Sequence, residues 1–229
     1  MEIKVAGENS LVIYADNQSS MLVNEKISAW IASATKNIEH SMSQFLIDIV
    51  PSYASILVIY DAYLIDHCQL RHLLHQQLDK IKTTHAPPGK LVELPVYYDA
   101  ESTPDLTRIS ENCGLSKNEI IEIHQNGPYQ VHAMGFSPGF GFLGQVDARI
   151  AMPRLATPRK KVPKGAVAIA DRQTAVYPCE SPGGWNLIGL CPLPMFKKHS
   201  SPATPMNIGD KVTFKSINKE EFLKLGGKL

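Results

Sequence analysis

Glycine and proline are unevenly spread along this chain of 229 residues: residues 127–229 hold 12 of the 15 Gly and 11 of the 16 Pro. Glycine admits positive φ, and proline fixes φ and removes a backbone donor, so a segment this rich in both cannot sustain long helices. Short strands joined by tight turns are what remain, and a closed or strongly curved β structure follows. The first half lacks this excess. Two differently built halves are therefore expected, each large enough for its own core.

The first 85 residues read as hairpin, helix, hairpin, helix. Residues 2–5 and 11–14 are β-favouring runs separated by Gly7, Glu8 and Asn9. Val23, Ile27, Trp30, Ile31 and Ala34 then recur at helical spacing, with Asn17 or a following Ser as cap. A second strand pair spans residues 44–50 and 55–60, and Leu70, Leu74, Leu78 and Ile81 mark a second helix. Two helices on one face of a four-stranded antiparallel sheet make a small α+β sandwich over residues 1–85. His85–Lys90, with Pro87, Pro88 and Gly89, reads as the linker to a second domain over residues 86–229. In that domain the sequence predicts a strand over 91–98, a helix over 103–113 stopped by Gly114, and a helix opened by the capping box of Ser116 and Glu119. Strands follow over 129–133, 166–170, 185–190 and 211–217.

Lys and Arg number 23 against 22 Asp and Glu, which gives no cationic surplus for a dedicated nucleic-acid binder. The most apolar run, Ile56–Ile65, is interrupted by Asp61 and is too short to cross a membrane, and no secretory leader is visible after Met1. Cys68, Cys113, Cys179 and Cys191 are too scattered for a disulfide framework or paired zinc knuckles. A cytoplasmic protein with reduced thiols is expected.

Several motifs match chemistry that their surroundings deny. Gly139–Gly144 fits G-x-G-x-x-G, but Pro153, Pro158 and Pro163 leave little room for the helix a dinucleotide needs, and Gln145-Val146 replaces the Lys-Ser/Thr of a phosphate loop. Gly135–Gly139 fits G-x-S-x-G, yet Pro138 has no N–H for the oxyanion hole, so Ser137 is a poor nucleophile. His67, His72 and His75 share a helix with no carboxylate or Cys placed to complete a metal site, and read as a solvated face.

Two other segments point to a small anionic ligand. Between Asp147 and Arg172 lie seven Lys/Arg and two acids, and Pro153-Arg154, Pro158-Arg159 and Pro163-Lys164 recur every five residues on a stiffened path. Arginine's planar fork suits carboxylate or phosphate oxygens. The bland alternative is a basic edge guarding a strand from aggregation. Ser181-Pro182-Gly183-Gly184-Trp185 offers close backbone approach beside a flat aromatic wall, and with the aromatic turn at residues 136–142 it could line a pocket.

Taken in order, these motifs resemble the family of 5-oxoprolinase B subunits, also described as allophanate hydrolase subunit 1 or the sporulation kinase inhibitor family. The resemblance runs through Leu94-Pro95-Val96, Tyr98-Asp99, Asp105-Leu106, His124, Tyr129, Gly135-Phe136, Pro138-Gly139-Phe140 and Leu143-Gly144. It continues through Pro153-Arg154, Pro158-Arg159, Val162-Pro163, Gln173-Thr174, Tyr177-Pro178, Ser181–Trp185 and Gly209-Asp210. Phe142 stands where the family usually has Tyr, and Gln145 where a second Gly is common.

The resemblance implies a cyclophilin-like β-barrel after the N-terminal domain, and an enzyme subunit that works with subunits C and A. Together they would open 5-oxo-L-proline to glutamate with ATP hydrolysis, the ATP accompanied by magnesium. On this basis we expect Arg154, Arg159 and Lys161 to meet substrate carboxylate or phosphoryl oxygens, and His124 to serve in proton transfer or orientation. Phe136, Gly139, Gln173, Ser181, Gly183, Gly184 and Trp185 would surround the substrate. Relatives also suggest two alternatives, inhibition of a sensor histidine kinase and carboxyl transfer of the urea-processing kind.

Overall fold

A computed structural model describes residues 1–15, 25–79, 81, 89–99 and 102–229. The chain forms two compact units, Met1–Pro88 and Gly89–Leu229. The expected caps at Asn17 or the following serines, Val23, and residues 85–88 of the expected linker lie outside the described residues.

In the first unit, strands β1 (Glu2–Gly7) and β2 (Ser10–Tyr14) form a hairpin around Glu8-Asn9. Helix α1 (Glu25–Met42), strands β3 (Leu46–Pro51) and β4 (Ser55–Tyr60), and helix α2 (His67–Leu78) follow, and the sheet runs β1-β2-β4-β3. Alternate residues Leu11, Ile13, Ile56, Val58 and Tyr60 are buried with Ile31, Ala34 and Ile38 of α1 and Leu70, Leu74 and Leu78 of α2. Period two on the sheet thus meets period 3.6 on the helices across one apolar layer. Asp66 and Gln69 close a capping box that starts α2.

The second unit contains β5 (Leu91–Tyr97), α3 (Leu106–Cys113), α4 (Lys117–Gln125), β6 (Tyr129–Met134), β7 (Gly141–Gly144), β8 (Arg159–Val162) and β9 (Ala166–Ala170). It ends with β10 (Gln173–Val176), β11 (Ser181–Gly183), β12 (Asn186–Leu190), β13 (Lys211–Ile217) and α5 (Lys219–Lys224). Seven strands close a barrel in the order β10-β7-β6-β13-β5-β12-β9, while β8 and β11 pair as a separate ribbon. Closure removes the free edges that Gly-rich strands would otherwise expose. Strand β5 pairs along its whole length with parallel β13 but at one position, Leu190↔Tyr97, with β12. Pro95 is tolerated there because that side of β5 is almost unpaired.

One buried cluster draws Val96, Val131, Leu143, Ile169, Val176, Ile188 and Phe214 from all seven barrel strands and is therefore the lumen. Another joins Ala166, Ala168, Ala170 and Ala175 to Phe140, Tyr177 and Trp185. All five residues of β9 are buried: Val167 and Ile169 face inward, and the intervening alanines lie under a second layer outside. That outer layer carries the candidate site.

Candidate functional site

The site lies where the β8–β11 ribbon and the segment before it cover the alanine-lined outer face of β9 and β10. Residues 152–155 are not strand, but they are fixed at three points. The Asp171 N–H donates to Met152 O at 2.6 Å, the Leu155 N–H to Gly184 O at 2.7 Å, and Asn186 Nδ2 to Pro153 O at 3.0 Å. Arg154 sits between these anchors, exposed, with its guanidinium 5.7 Å from the centre of the buried Trp185 ring.

Trp185 belongs to an aromatic cluster built on Phe140. Phe140 meets Trp185 at 5.7 Å, Tyr177 at 5.3 Å and Phe142 at 4.8 Å, all edge to face. Gly183 lies against this cluster, where a Cβ would stand 2.5 Å from the Tyr177 hydroxyl. Burial raises the Tyr177 pKa, although Arg154, the Trp185 backbone and Arg159 pull the other way. Tyr177 is therefore a neutral wall at ordinary pH. The Ser181 hydroxyl is buried without a hydrogen-bond partner among the described residues.

The three expected cations separate. Arg159 donates to Asp105 Oδ1 at 2.6 Å and to Trp185 O at 3.4 Å. The other Asp105 oxygen accepts the Leu187 N–H at 2.6 Å. Arg159 is thus paired with a carboxylate and anchors the site, where the expectation had it meet substrate oxygens. Lys161 pairs with Glu180 at 3.1 Å with both side chains exposed, a contact of little energetic weight. Among the described residues Arg154, Lys160 and Lys164 have no carboxylate within ion-pair distance, and of the three Arg154 is the one against Trp185.

His124 requires a larger correction. It is 0 % exposed and plugs the barrel from α4, with its ring stacked on Phe214 at 4.5 Å. Thr174 Oγ1 donates its proton to Ala168 O, so it must accept from His124 Nε2–H at 3.0 Å, while Nδ1 accepts from the Tyr98 hydroxyl at 2.8 Å. Burial pushes the imidazole pKa down to about 3, so the ring is neutral and shut off from solvent. It holds the lumen together and does not transfer protons at the outer face.

The other expected residues are distributed as follows. Gly139 buttresses the β6–β7 turn against the Met195 carbonyl, and Phe136 on the same turn is 66 % exposed. Gln173 stands on the outward register of β10 opposite Gly144 and Ala170. The G-x-G-x-x-G segment contains strand β7, followed only by a three-residue 3-10 turn at Ala148–Ile150 and not by the α-helix a dinucleotide needs. Ser137 lies in the turn that precedes it, its Oγ buried without a hydrogen-bond partner. His72 bonds Gln76, and His67 bonds Tyr60.

Sequence reading missed the site role of Asp105. An acid before a helix reads as an N-cap, but this one makes no side-chain cap and turns its carboxylate to β12 and Arg159 instead. A separate groove of about 740 Å³ lies between α4 and the 145–149 loop, lined in part by Glu119, Glu122, Asn126, Asp147, Arg149 and Arg172. None of the residues selected from sequence reaches it.

A family model described as carboxyltransferase domain, subdomain C and D, matches residues 1–206, which defines the class to which this barrel and its site belong. The chain is 34% identical over 235 residues to the 5-oxoprolinase B subunit of Bacillus subtilis, covering 96% of this chain and 95% of the relative. It is 40% identical over 128 residues to the 5-oxoprolinase B subunit of Escherichia coli O157:H7, covering 56% of this chain and 59% of the relative. The chain belongs to the family of 5-oxoprolinase B subunits. Among solved structures, TTHA0988 superposes with a TM-score of 0.79 at 31% identity, over 91% of this chain and 40% of that one.

Proposed function

We propose that this chain is the B subunit of an ATP-dependent 5-oxoprolinase, which acts with subunits C and A to convert 5-oxo-L-proline to L-glutamate. The observation that carries this reading is the match to the Bacillus subtilis protein across 95% of its length. A lactam is a poor electrophile. Transfer of a phosphoryl group from ATP to its oxygen, followed by addition of water and cleavage of the C–N bond, would give glutamate, ADP and phosphate.

The outer face fits the anionic groups of such a reaction. Arg154 on Trp185 would meet the substrate carboxylate or a phosphoryl oxygen, with Lys160 and Lys164 adding positive potential. Arg159, locked to Asp105, would hold Trp185 in place. Among the described residues no three His, Cys, Asp or Glu side chains converge as metal ligands, so magnesium would arrive on the nucleotide phosphates. Four free thiols suit a cytoplasmic setting.

The test is co-expression with candidate C and A subunits, followed by assay of ATP-dependent glutamate release from 5-oxoproline. Release by the three-subunit complex is the expected result, and a verified complex that releases none overturns the reading. The carboxyltransferase description of the matched family favours carboxyl transfer as the second reading, to be assayed with urea and carboxybiotin.

A further inference from the structure

The groove between α4 and the 145–149 loop has walls of opposite charge, and among the described residues no ion pair crosses it. On the loop wall Arg149 donates to both Asp147 oxygens, at 3.1 Å and 2.8 Å, so these two charges cancel. The same hydrogen bonds hold the Asp147 carboxyl down to about 2, and it is ionised at any ordinary pH. Arg172 is left over, exposed and with no carboxylate within ion-pair distance among the described residues. On the α4 wall Glu119 is occupied, accepting from the Ser116 N–H at 2.8 Å and the Ser116 hydroxyl at 2.6 Å. Glu122 is exposed and, among the described residues, has no cation within ion-pair distance. Helix α4 also ends at this groove, at Asn126, where the negative end of the helix dipole favours a cation.

The loop wall is pinned, so it does not swing across to neutralise the helix. The Val146 N–H donates to Arg172 O, and Arg172 Nε donates to Val146 O, both at 3.0 Å. Gln145, which lines the groove beside this pair, is held at φ +77°, a left-handed conformation that a residue other than glycine keeps only where its surroundings impose it. Leu115 and Ile123, packed on the barrel core, give the groove apolar surface together with Pro128. A pre-formed cleft of about 740 Å³ with apolar surface and a few polar groups is of the kind that takes small molecules.

We propose that this groove binds a free amino acid with an apolar side chain. Its carboxylate meets Arg172, its ammonium meets Glu122 and the end of α4, and its side chain lies on Leu115, Ile123 and Pro128. A ligand with a single charge leaves one wall uncompensated, whereas a zwitterion satisfies both. Neither Arg154 nor Trp185 lines this groove, so the inference stands apart from the subunit reading and is tested on the chain alone.

Isothermal titration calorimetry of the full chain with L-leucine is the test. Saturable binding is expected, and Glu122→Gln and Arg172→Gln should each raise Kd at least ~10-fold, the scale of one lost charge-assisted contact. N-acetyl-L-leucine lacks the ammonium and L-leucinamide lacks the carboxylate, and both should bind more weakly than L-leucine, as should glycine. E122Q should no longer distinguish L-leucine from N-acetyl-L-leucine, nor R172Q L-leucine from L-leucinamide. R172Q gives up the hydrogen bond to Val146 O, so E122Q, a change at an exposed position on the helix, carries the test if R172Q unfolds. No saturable binding of L-leucine at millimolar concentrations, binding that E122Q leaves unchanged, or glycine bound as tightly as L-leucine overturns the assignment.

Discussion

Asp105 and Arg159 lie 54 positions apart in the chain, yet the guanidinium donates to the carboxylate at 2.6 Å, with the Arg159 side chain 27% exposed and that of Asp105 7%. The same carboxylate accepts the Leu187 N–H, so one acid joins the start of α3 to β12 and to the ribbon that carries the basic segment. Removing the arginine leaves a buried carboxylate short of a partner, which costs more than the pair itself contributes. Arg159→Ala should lower unfolding free energy by about 2 kcal/mol, a figure reduced for the partial exposure of the pair. Arg159→Lys should recover only part of the loss, because a single ammonium nitrogen does not replace the two guanidinium nitrogens that reach Asp105 and Trp185 O separately. Urea denaturation of the three proteins measures both. Equal stability of R159A and the unaltered chain would dissolve the anchor.

Acid should unfold the second unit through His124. Its pKa is depressed by burial from the ordinary 6.5 to about 3, so below pH 6.5 the unfolded chain takes up a proton that the folded chain refuses. The stability tied to this group is complete above pH 6.5 and declines as pH falls toward 3, by up to about 1.4 kcal/mol per pH unit. His124→Gln lacks the titrating group and should lose less stability between pH 6.5 and 4, even if it starts lower. Parallel pH dependences for the two proteins would show that another group controls the response.

Two glycines at positive φ should respond differently to the same change. Gly114 ends α3 at φ +69°, and a Cβ added there would have no atom within 4 Å, so Gly114→Ala costs the left-handed penalty alone, about 1 kcal/mol. Gly139, at φ +85°, would also drive its Cβ into the Met195 carbonyl, and backbone cannot move aside cheaply. Gly139→Ala should therefore cost about 3 kcal/mol, strain and clash together. Thermal melts of the two variants rank them, and a G139A chain as stable as G114A contradicts the close approach.

How much of this was legible in the sequence varied with the range of the forces involved. The four strands and two helices of the first unit, and the capping box at Ser116, rest on local periodicity and side-chain capping, and both are written in neighbouring residues. Strands β7, β8 and β11, of three or four residues each, escaped notice because their extended state is imposed by partners and not by their own Gly, Lys and Ser content, and β10, Gln173–Val176, is too short to show a period of its own. The basic segment 147–172, for which a guarded strand edge was the alternative reading, contains β8, which pairs with β11 alone. His124 left a signal that went unused: it lies four residues after the fully buried Ile120, on the same helix face. Asp105 entered only through the Asp105-Leu106 motif of the resemblance and not as a site residue, since its partners come from β8 and β12 and no spacing rule joins them.

Arg154 is the cation whose removal should separate activity from stability. It is exposed, it has no carboxylate partner among the described residues, and its contact with the fold is the face of Trp185 at 5.7 Å. Loss of an exposed cation–π contact costs about 0.5–1 kcal/mol, so Arg154→Ala should fold and assemble normally. If the guanidinium meets the substrate carboxylate or phosphoryl oxygen, the same change removes a charge-assisted bond and should cut ATP-dependent turnover of the assembled complex at least ~10-fold. Arg154→Lys keeps the charge without the planar fork and should fall between the two. Steady-state kinetics on the three complexes, with melting temperatures alongside, decide the point. Turnover that tracks melting temperature, or that does not change, would leave Arg154 a surface residue and shift the search to Lys160 and Lys164.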